Sequence, residues 1–313
     1  MNSAADTLKR IFEESGSFCD THWSAFLDAL EKGEIRVVEQ QADGSWKVNS
    51  WVKAAILSGF KKGGLSAWPW PASSSASAFG SGAGSASPRE KTIEGDSGSP
   101  QSSHSSNSPH RFNGSGGSGF FDRPAFPPRH FEIEDGVRMV PGGSSVRRGA
   151  FVASGVVIMP PSYINVGAWV DEGTMVDSHV LVGSCAHIGK RVHLSAGVQI
   201  GGVLEPPQAS PVIIEDEAFI GGMCGIFEGI IIRRRAVLAP GVIITKGTKL
   251  FDLVNGRELS GEVPENAVVV SGARPAHGEF ASQRGISLSV PCIVKYRDEK
   301  TDSSVVLESA LRG

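Results

Sequence analysis

Cysteine is scarce in this sequence, and the few cysteines lie far apart. Only 4 of the 313 residues are cysteine, and no two of them stand in a CxxC pattern. Structural zinc sites and disulfide frameworks need regularly spaced cysteines, so the distribution disfavours both. We expect reduced thiols with packing roles, in a protein of the cytoplasm. The four are Cys19, Cys185, Cys224 and Cys292.

The chain also lacks long apolar runs and an excess of charge of one sign. No apolar stretch is long enough to cross a bilayer, and residues 1–18 are charged and helical in pattern, unlike a signal peptide. The formal net charge is −3, from 30 basic and 33 acidic residues. Because nucleic-acid-binding domains usually carry a basic excess, we do not expect a nucleic-acid partner. Because no apolar stretch is long enough to cross a bilayer, we do not expect a membrane partner either.

The second half of the chain has an aliphatic residue at every sixth position. A period of six is neither the 3.6 of a helix nor the two of a half-buried strand. It is typical of a hexapeptide β-helix, in which each hexad supplies one short strand and one corner, and three hexads close a triangular coil. The repeating positions are Val152, Ile158, Ile164, Val170, Val176, Val182, Ile188, Leu194 and Ile200, followed after one interruption by Ile214, Ile220, Ile226, Ile232, Leu238, Ile244 and Leu250.

The interruption of the repeat predicts a segment that leaves the coil. Residues 204–211 follow the first run and contain three prolines, so we expect an external loop there. Residues 252–261 are expected to form a second excursion before a last coil over 263–272. Beyond it, 292–296 is strand-like and 305–311 is predicted to be a short helix.

Outside the repeat, the composition divides the chain into further segments. Apolar residues at helical spacing, around a hairpin turn at residues 42–44, predict a small α-rich domain. Of the 47 residues from 72 to 118, 16 are Ser and 8 are Gly, which predicts disorder because little apolar surface can be buried. The predicted segments are an α-rich domain (1–66), a disordered Ser/Gly-rich insert (67–119), a lead-in (120–145), the β-helix (146–272) and a C-terminal extension (273–313).

Three strings inside the repeat are far more specific than the repeat itself. Residues 167–177 read GAWVDEGTMVD, 182–190 read VGSCAHIGK and 200–206 read IGGVLEP. Together they resemble the tetrahydrodipicolinate N-succinyltransferases of lysine and diaminopimelate biosynthesis, closely over residues 120–313 and loosely over the N-terminal helices. The resemblance implies a left-handed parallel β-helix and a homotrimer with active sites between neighbouring subunits. It also implies succinyl-CoA as co-substrate, with no permanently bound cofactor, and open-chain amino-oxopimelate as acceptor.

The resemblance extends to two individual site residues. Arg138, in the string GVRMVP, matches the family's substrate-binding arginine, and a guanidinium can hold a carboxylate with two hydrogen bonds. Asp177, in GTMVD, matches an active-site aspartate that would bind the substrate and orient or deprotonate its amine. On spacing alone, Asp177 is a turn-capping residue and Arg138 a solvated arginine. Asp171, one hexad earlier, is expected to be structural.

One family string is altered in this chain. The family's FIGxRSE reads FIGGMCG over residues 219–225, so Met223 replaces the arginine and Gly225 the glutamate. Glu228 matches another acidic position of the family and could accept the amine's proton instead. A purely structural role for Glu228 remains open.

Candidates for coenzyme A contacts are harder to place. Gly201 and Gly202 would let the coenzyme approach the backbone closely, and Lys246 and Lys249 could meet its phosphates. Ordinary turn glycines and surface lysines are the alternatives.

A metal site is not expected. His179, His187 and His193 are spaced by eight and six residues, which does not bring three imidazoles into one tetrahedral cluster. His104 and His110 lie in the Ser/Gly-rich insert, where a metal role is also disfavoured.

Two other functions remain open at this point. An acetyl-CoA-dependent hexapeptide N-acyltransferase would carry the same repeat, and so would a non-catalytic trimeric scaffold. Gly225 is the feature that most favours the scaffold, because it removes a carboxylate.

Overall fold

Short helices and a hairpin form the N-terminal part, as the apolar spacing predicts. The structure is a computed structural model that describes residues 4–68 and 120–298. Strands β1 and β2 pair antiparallel, and the Asp43 carboxylate accepts a hydrogen bond from the Ser45 backbone N–H in the turn between them. These elements are α1 (Ala4–Ser15), α2 (Asp20–Glu31), β1 (Val38–Gln40), β2 (Trp46–Val48) and α3 (Ser50–Gly59).

Residues 64–68 and 120–122 belong to a second unit of the structure. In it, β3 (Ser66–Trp68) pairs antiparallel with β4 (Phe120–Asp122). Strand β3 crosses the predicted boundary between residues 66 and 67. Most of the predicted insert, with His104 and His110, lies outside the described residues, as does the helix predicted over 305–311.

From Arg138 onward, the chain winds into coils of three short strands. Parallel pairing joins residues three hexads apart, such as Trp169 with His187, which confirms the predicted parallel β-helix. The ladder begins earlier than residue 146, because β5 already pairs with β8. A 3-10 helix (Ile133–Asp135) precedes it. The strands are β5 (Arg138–Met139), β6 (Ser145–Val146), β7 (Phe151–Val152), β8 (Val157–Ile158), β9 (Tyr163–Ile164), β10 (Trp169–Val170), β11 (Met175–Val176), β12 (Leu181–Val182), β13 (His187–Ile188), β14 (His193–Leu194), β15 (Gln199–Ile200), β16 (Ile213–Ile214), β17 (Phe219–Ile220), β18 (Gly225–Ile226), β19 (Ile231–Ile232), β20 (Val237–Leu238), β21 (Ile243–Ile244), β22 (Leu250–Asp252), β23 (Arg257–Leu259), β24 (Glu262–Val263), β25 (Ala267–Pro275) and β26 (Ser287–Tyr296), with helix α4 (Glu279–Gln283) before the last strand.

Three sheets form the faces of the β-helix. Face 1 contains β5, β8, β11, β14, β17, β20 and β25; face 2 contains β6, β9, β12, β15, β18 and β21; face 3 contains β7, β10, β13, β16, β19 and β24. We call the corners from face 1 to face 2 the first edge, those from face 2 to face 3 the second edge, and those from face 3 to face 1 the third edge.

The aliphatic of each hexad points to the axis and is buried. Ile158, Val176 and Ile220 have no exposed surface, and the repeating positions all belong to one apolar core. Burying such a side chain stabilises the fold by roughly 1.5–3 kcal/mol. At one interior corner, Thr174 Oγ1 donates to the Gly189 carbonyl at 2.8 Å and accepts from the Val192 N–H at 3.1 Å, which ties successive coils together.

Both predicted excursions are present. Residues 201–212 leave the second edge between β15 and β16, and β22 pairs with β23 in an antiparallel hairpin. The buried Asp252 ends β22 and accepts hydrogen bonds from Tyr296 Oη at 2.8 Å and Arg257 Nε at 3.0 Å. The predicted strand over 292–296 lies within the longer β26.

The N-terminal helices pack on face 3. The second apolar core combines side chains of α2 and α3 with Val166, Cys185 and Ile213 of the β-helix. Arg148 pairs with Glu31 at 2.8 Å, and the Arg36 guanidinium lies 3.8 Å above the Trp169 ring. The division into domains stays a prediction. No helix within residues 4–68 and 120–298 has the length and apolar character needed to cross a bilayer.

Candidate active site

Four of the seven predicted site residues line one cavity. Gly201, Gly202, Glu228 and Lys246 surround a space of about 750 Å³ at the second edge. Three successive corners supply them: the one that begins the 201–212 loop, the one after β18 and the one after β21. The loop also provides one wall, through Leu204, Glu205, Ala209 and Ser210.

Glu228 has an unusual backbone for its place in the repeat. Its φ is 57°, and the φ of the next residue, Gly229, is 75°. Elsewhere in the described coils, the non-glycine residues with a positive φ, such as Arg191 and Met223, are all third in their corners, whereas Glu228 is the second. A left-handed non-glycine residue costs free energy, and such residues concentrate at functional sites. This corner therefore departs from the repeat where the cavity carboxylate is placed.

The Glu228 carboxylate is held by the next coil. Its Oε2 accepts the Lys246 backbone N–H at 3.1 Å. Both side chains are exposed, so the carboxylate and the ammonium stand at the open side of the cavity.

The cavity floor is formed by closely approaching backbone and one aromatic ring. A Cβ added at Gly202 would lie 2.7 Å from the Ser184 nitrogen, and one at Gly201 would lie 2.7 Å from Cδ1 of Phe227. Glycine is thus required by coil packing at both positions. The same absence of side chains leaves their backbone accessible to a ligand.

Phe227 also explains why Gly225 is a glycine. A Cβ at Gly225 would lie 2.6 Å from Cε2 of Phe227 and 2.9 Å from Cδ1 of Ile243. The phenyl ring occupies the room that a glutamate at 225 would need. Met223, in place of the family's arginine, is 71% exposed.

Lys249 lies outside this cavity. Its ammonium pairs with Glu258 of β23 at 2.6 Å, and both side chains are exposed. The hairpin excursion, rather than the cavity, determines where this lysine points.

Asp177 lies at the first edge, away from Glu228. Its Oδ1 accepts the Ser178 N–H at 2.8 Å, and its carbonyl accepts Ser162 Oγ at 2.7 Å. The side chain is half-buried and caps its corner, as the spacing alone suggests. Asp171 makes the equivalent cap to Glu172 at 2.8 Å.

Arg138 shares face 1 with the strand that leads to Asp177. It is exposed in β5, and β5, β8 and β11 are adjacent, so Arg138 stands two strands from Met175. At a strand spacing of about 4.8 Å, that separation is roughly 10 Å. Arg138 and Asp177 therefore lie on one side of the molecule, and the cavity with Glu228 lies at another edge.

The three histidines considered as metal ligands have separate surroundings. The buried His187 ring lies 4.7 Å from Trp46 and 6.1 Å from Trp169, and burial lowers its pKa to about 4. His193 stacks on Phe219 at 4.9 Å, and His179 is exposed at the first edge. Within the described residues, no three His, Cys, Asp or Glu side chains are arranged to hold a metal ion.

Sequence reasoning missed two residues of this region, Phe227 and Lys53. Phe227 follows an axial aliphatic residue. The residue type at this corner position does not repeat along the sequence, so the six-residue period does not identify an outward-pointing ring there. Lys53 lies in α3, yet donates hydrogen bonds to the 201–212 loop. The sequence signal for Lys53 was an ionisable residue near the apolar residues Val52 and Ile56, which are buried in α3.

Two family models match parts of the chain. One, described as the N-terminal part of tetrahydrodipicolinate N-succinyltransferase, matches residues 13–61. The other, described as the hexapeptide repeat of succinyl-transferase, matches residues 211–246 and thus includes the Glu228 corner.

Curated relatives are similar over most or all of the chain. A protein from Bradyrhizobium diazoefficiens is 43% identical over 312 residues, which cover 100% of this chain and 96% of the relative. One from Afipia carboxidovorans is 42% identical over 290 residues, covering 91% and 87%. Both are named 2,3,4,5-tetrahydropyridine-2,6-dicarboxylate N-succinyltransferase.

Proposed function

The chain belongs to the tetrahydrodipicolinate N-succinyltransferase family, acyltransferases of lysine and diaminopimelate biosynthesis, and we propose that it moves a succinyl group from succinyl-CoA to the amino group of open-chain 2-amino-6-oxopimelate. The observation that best supports this is the cavity of about 750 Å³ that gathers a carboxylate, an ammonium and two accessible glycines. Succinyl-CoA is a co-substrate here, no cofactor stays bound, and the cytoplasm is the proposed location.

The reaction needs a group that transfers a proton and a site that holds the two substrates in contact. The amine nitrogen attacks the thioester carbon, the C–S bond breaks, and coenzyme A leaves as a thiolate. The amine loses one proton and the thiolate gains one, so a carboxylate that accepts a proton and returns it balances the step. Holding amine and thioester in contact supplies most of the acceleration. No acyl-enzyme is formed, and among the described residues that line the cavity there is no cysteine.

Glu228 is the carboxylate proposed for this proton transfer. Its strained backbone and its bond to the Lys246 N–H fix its position at the open side of the cavity. Gly201 and Gly202 would let the coenzyme's pantetheine arm lie against the backbone, and the exposed Lys246 would meet a phosphate. Lys249, paired with Glu258, is the weaker candidate for such a contact.

Asp177 and Arg138 are proposed to reach the same reaction from a neighbouring subunit. They lie at the first edge and on face 1, so one chain does not bring them to the cavity. In a cyclic trimer, the first edge of one subunit can face the second edge of the next. Arg138 would then bind a carboxylate of the acceptor, and Asp177 would orient its amine.

Thiol release tests the proposed reaction. We expect the purified protein to release coenzyme A when given succinyl-CoA and the acceptor, and Glu228→Gln to lose about 100-fold in kcat, within the range usual for a general base. Glu265→Gln serves as the matched control and should stay within about twofold, because this exposed carboxylate follows β24 at the third edge and does not line the cavity. Absence of turnover by the wild type, with an active relative assayed in parallel, would overturn the proposal. Preference for acetyl-CoA over succinyl-CoA would change the donor.

A further inference from the structure

Lys53 is a lysine with no exposed surface. It lies in α3, where Val52, Ala55 and Ile56 are equally buried. A buried ammonium is costly unless hydrogen bonds or a counter-charge compensate it. Burial lowers the pKa of Lys53.

The ammonium is compensated by backbone carbonyls. Lys53 Nζ donates to the Ala209 carbonyl at 2.7 Å and to the Pro206 carbonyl at 3.2 Å. Within the part of the chain that the structure describes, no carboxylate pairs with it. Both carbonyls belong to the 201–212 loop, more than 150 residues further along the chain.

The loop is also attached near both of its ends and through Leu204, which packs against the second apolar core. At its start, the Val203 N–H donates to the Ser184 carbonyl at 3.2 Å. At its end, the Ser210 carbonyl packs so closely on Gly229 that an added Cβ would lie 2.5 Å from it. Between these points, the chain makes a turn in which the Ala209 N–H donates to the Pro206 carbonyl at 2.9 Å. Lys53 binds the carbonyls of both residues.

The held segment is the cavity wall. Glu205 and Leu204 precede the Pro206 carbonyl, Ala209 carries the other acceptor, and Ser210 follows it; all four line the cavity. A displacement of the turn would therefore move the wall without touching Glu228 or Lys246.

We infer that Lys53 is a positioning residue for the acyl-transfer site, whose buried ammonium fixes the 201–212 loop against α3 and so keeps the cavity shaped for its acyl donor. The inference rests on the proposed function of the cavity. The N-terminal helices would then contribute to the reaction, because Lys53 lies in α3.

Two variants separate this role from general stability. Lys53→Met keeps the length and apolar stem but removes the donors, whereas Ile56→Val removes one buried methylene from the same helix without touching the loop. For Lys53→Met we expect KM for succinyl-CoA to rise about tenfold with kcat within about threefold, because binding geometry changes and the reacting groups do not. Amide hydrogen exchange over residues 203–211 should become about tenfold faster. Ile56→Val should change neither value.

Failure of the positioning role and failure of the proposed function give different results. If Lys53→Met loses stability but keeps the donor KM and the loop exchange of the wild type, the positioning role is wrong. If the wild type itself neither binds succinyl-CoA by calorimetry nor turns it over, the proposed function fails instead.

Should Lys53→Met not fold, the wild type supplies the measurement. Amine-reactive acylation, followed by mass spectrometry, should modify Lys53 at least about tenfold more slowly than the exposed Lys47, since modification requires the loop to open. Saturating coenzyme A should slow it further. Equal labelling with and without coenzyme A, in a protein shown to bind it, would overturn the inference.

Discussion

Gly225 shows how one residue depends on another two positions away. The Phe227 ring fills the space above its Cα, and Ile243 closes the other side. The family string that this chain resembles has a glutamate at this position, and the Phe227 ring lies where that side chain would start. A glutamate cannot be restored there while the ring keeps its place.

We predict that Gly225→Ala destabilises the protein by about 1–3 kcal/mol, because the added Cβ overlaps the ring. Phe227→Val should relieve the overlap, so the double variant should lose about 1 kcal/mol less than the sum of the single changes. Gly247→Ala is the matched control, since nothing lies within 4 Å of a Cβ added there. Urea unfolding of the wild type and all four variants measures these differences. Strict additivity would show that the ring and the glycine are independent.

His187 makes stability depend on pH through a single buried ring. Burial between tryptophans lowers its pKa to about 4 from 6.5, so the unfolded chain takes up the proton first. The stabilising contribution is complete above about pH 6.5 and is lost as the pH falls towards 4, with a limit of about 3 kcal/mol.

For His187→Phe we predict a flatter stability profile between pH 6.5 and 4, because no proton is then taken up on unfolding at this position. Denaturant unfolding at several pH values provides the comparison. His179→Asn, at an exposed site, should retain the wild-type slope. An unchanged slope in His187→Phe would assign the acid sensitivity to other groups.

At the scale of elements, charged side chains connect successive coils along the third edge. Glu217 accepts from Arg191 of the preceding coil at 2.8 Å and pairs with Arg234 and Arg235 of the next at 3.0 and 3.3 Å. The hydrogen bonds from these guanidiniums hold the pKa of Glu217 at about 2. Single exposed ion pairs add little, but one carboxylate shared by three guanidiniums crosslinks three coils.

We predict that Glu217→Gln lowers the free energy of unfolding by about 1–2 kcal/mol, because three arginines are left facing one another. High salt should reduce this loss by screening their repulsion. In the wild type, the contribution is present above the unfolded pKa near 4.5 and disappears as the pH falls towards 2. Thermal unfolding with and without salt measures the effect, and Glu258→Gln, at an exposed pair, should change little.

The elements were largely predictable because their signals are local. Each axial aliphatic, such as Val176, repeats the same strand-and-corner unit, so the period alone indicates the coil. The 201–212 loop and the 252–261 excursion showed up as breaks in that period. The first strand, β5, was missed because its hexad precedes the regular run, and only pairing with β8 reveals it.

At the scale of the whole molecule, the proposed site residues lie at different edges. Glu228 lies at the second edge and Asp177 at the first, which is compatible with the proposed site between neighbouring subunits. Cyclic assembly brings unlike edges together, and this gives the proposed trimer a direct functional test.

We predict that Asp177→Ala and Glu228→Gln are each nearly inactive, but that co-expressed mixtures recover about a quarter of the wild-type activity. In random trimers, half of the first edges and half of the second edges are intact, so about one site in four has both. A mixture of Asp177→Ala with Asp177→Asn should recover nothing. No recovery in the first mixture, with mixed trimers demonstrated by mass, would place both residues in one subunit's site or exclude one of them.

The sequence by itself determined the β-helix, its interruptions and the family, because a six-residue repeat and short contiguous strings are local properties of the chain. It also indicated Gly201, Gly202, Glu228 and Lys246, which the fold brings together since hexads stack in register. Only the tertiary structure decided that Phe227 fills the place above Gly225 and that Lys53 holds a loop more than 150 residues away. Such contacts depend on how corners and helices pack in space, and no spacing along the chain encodes them.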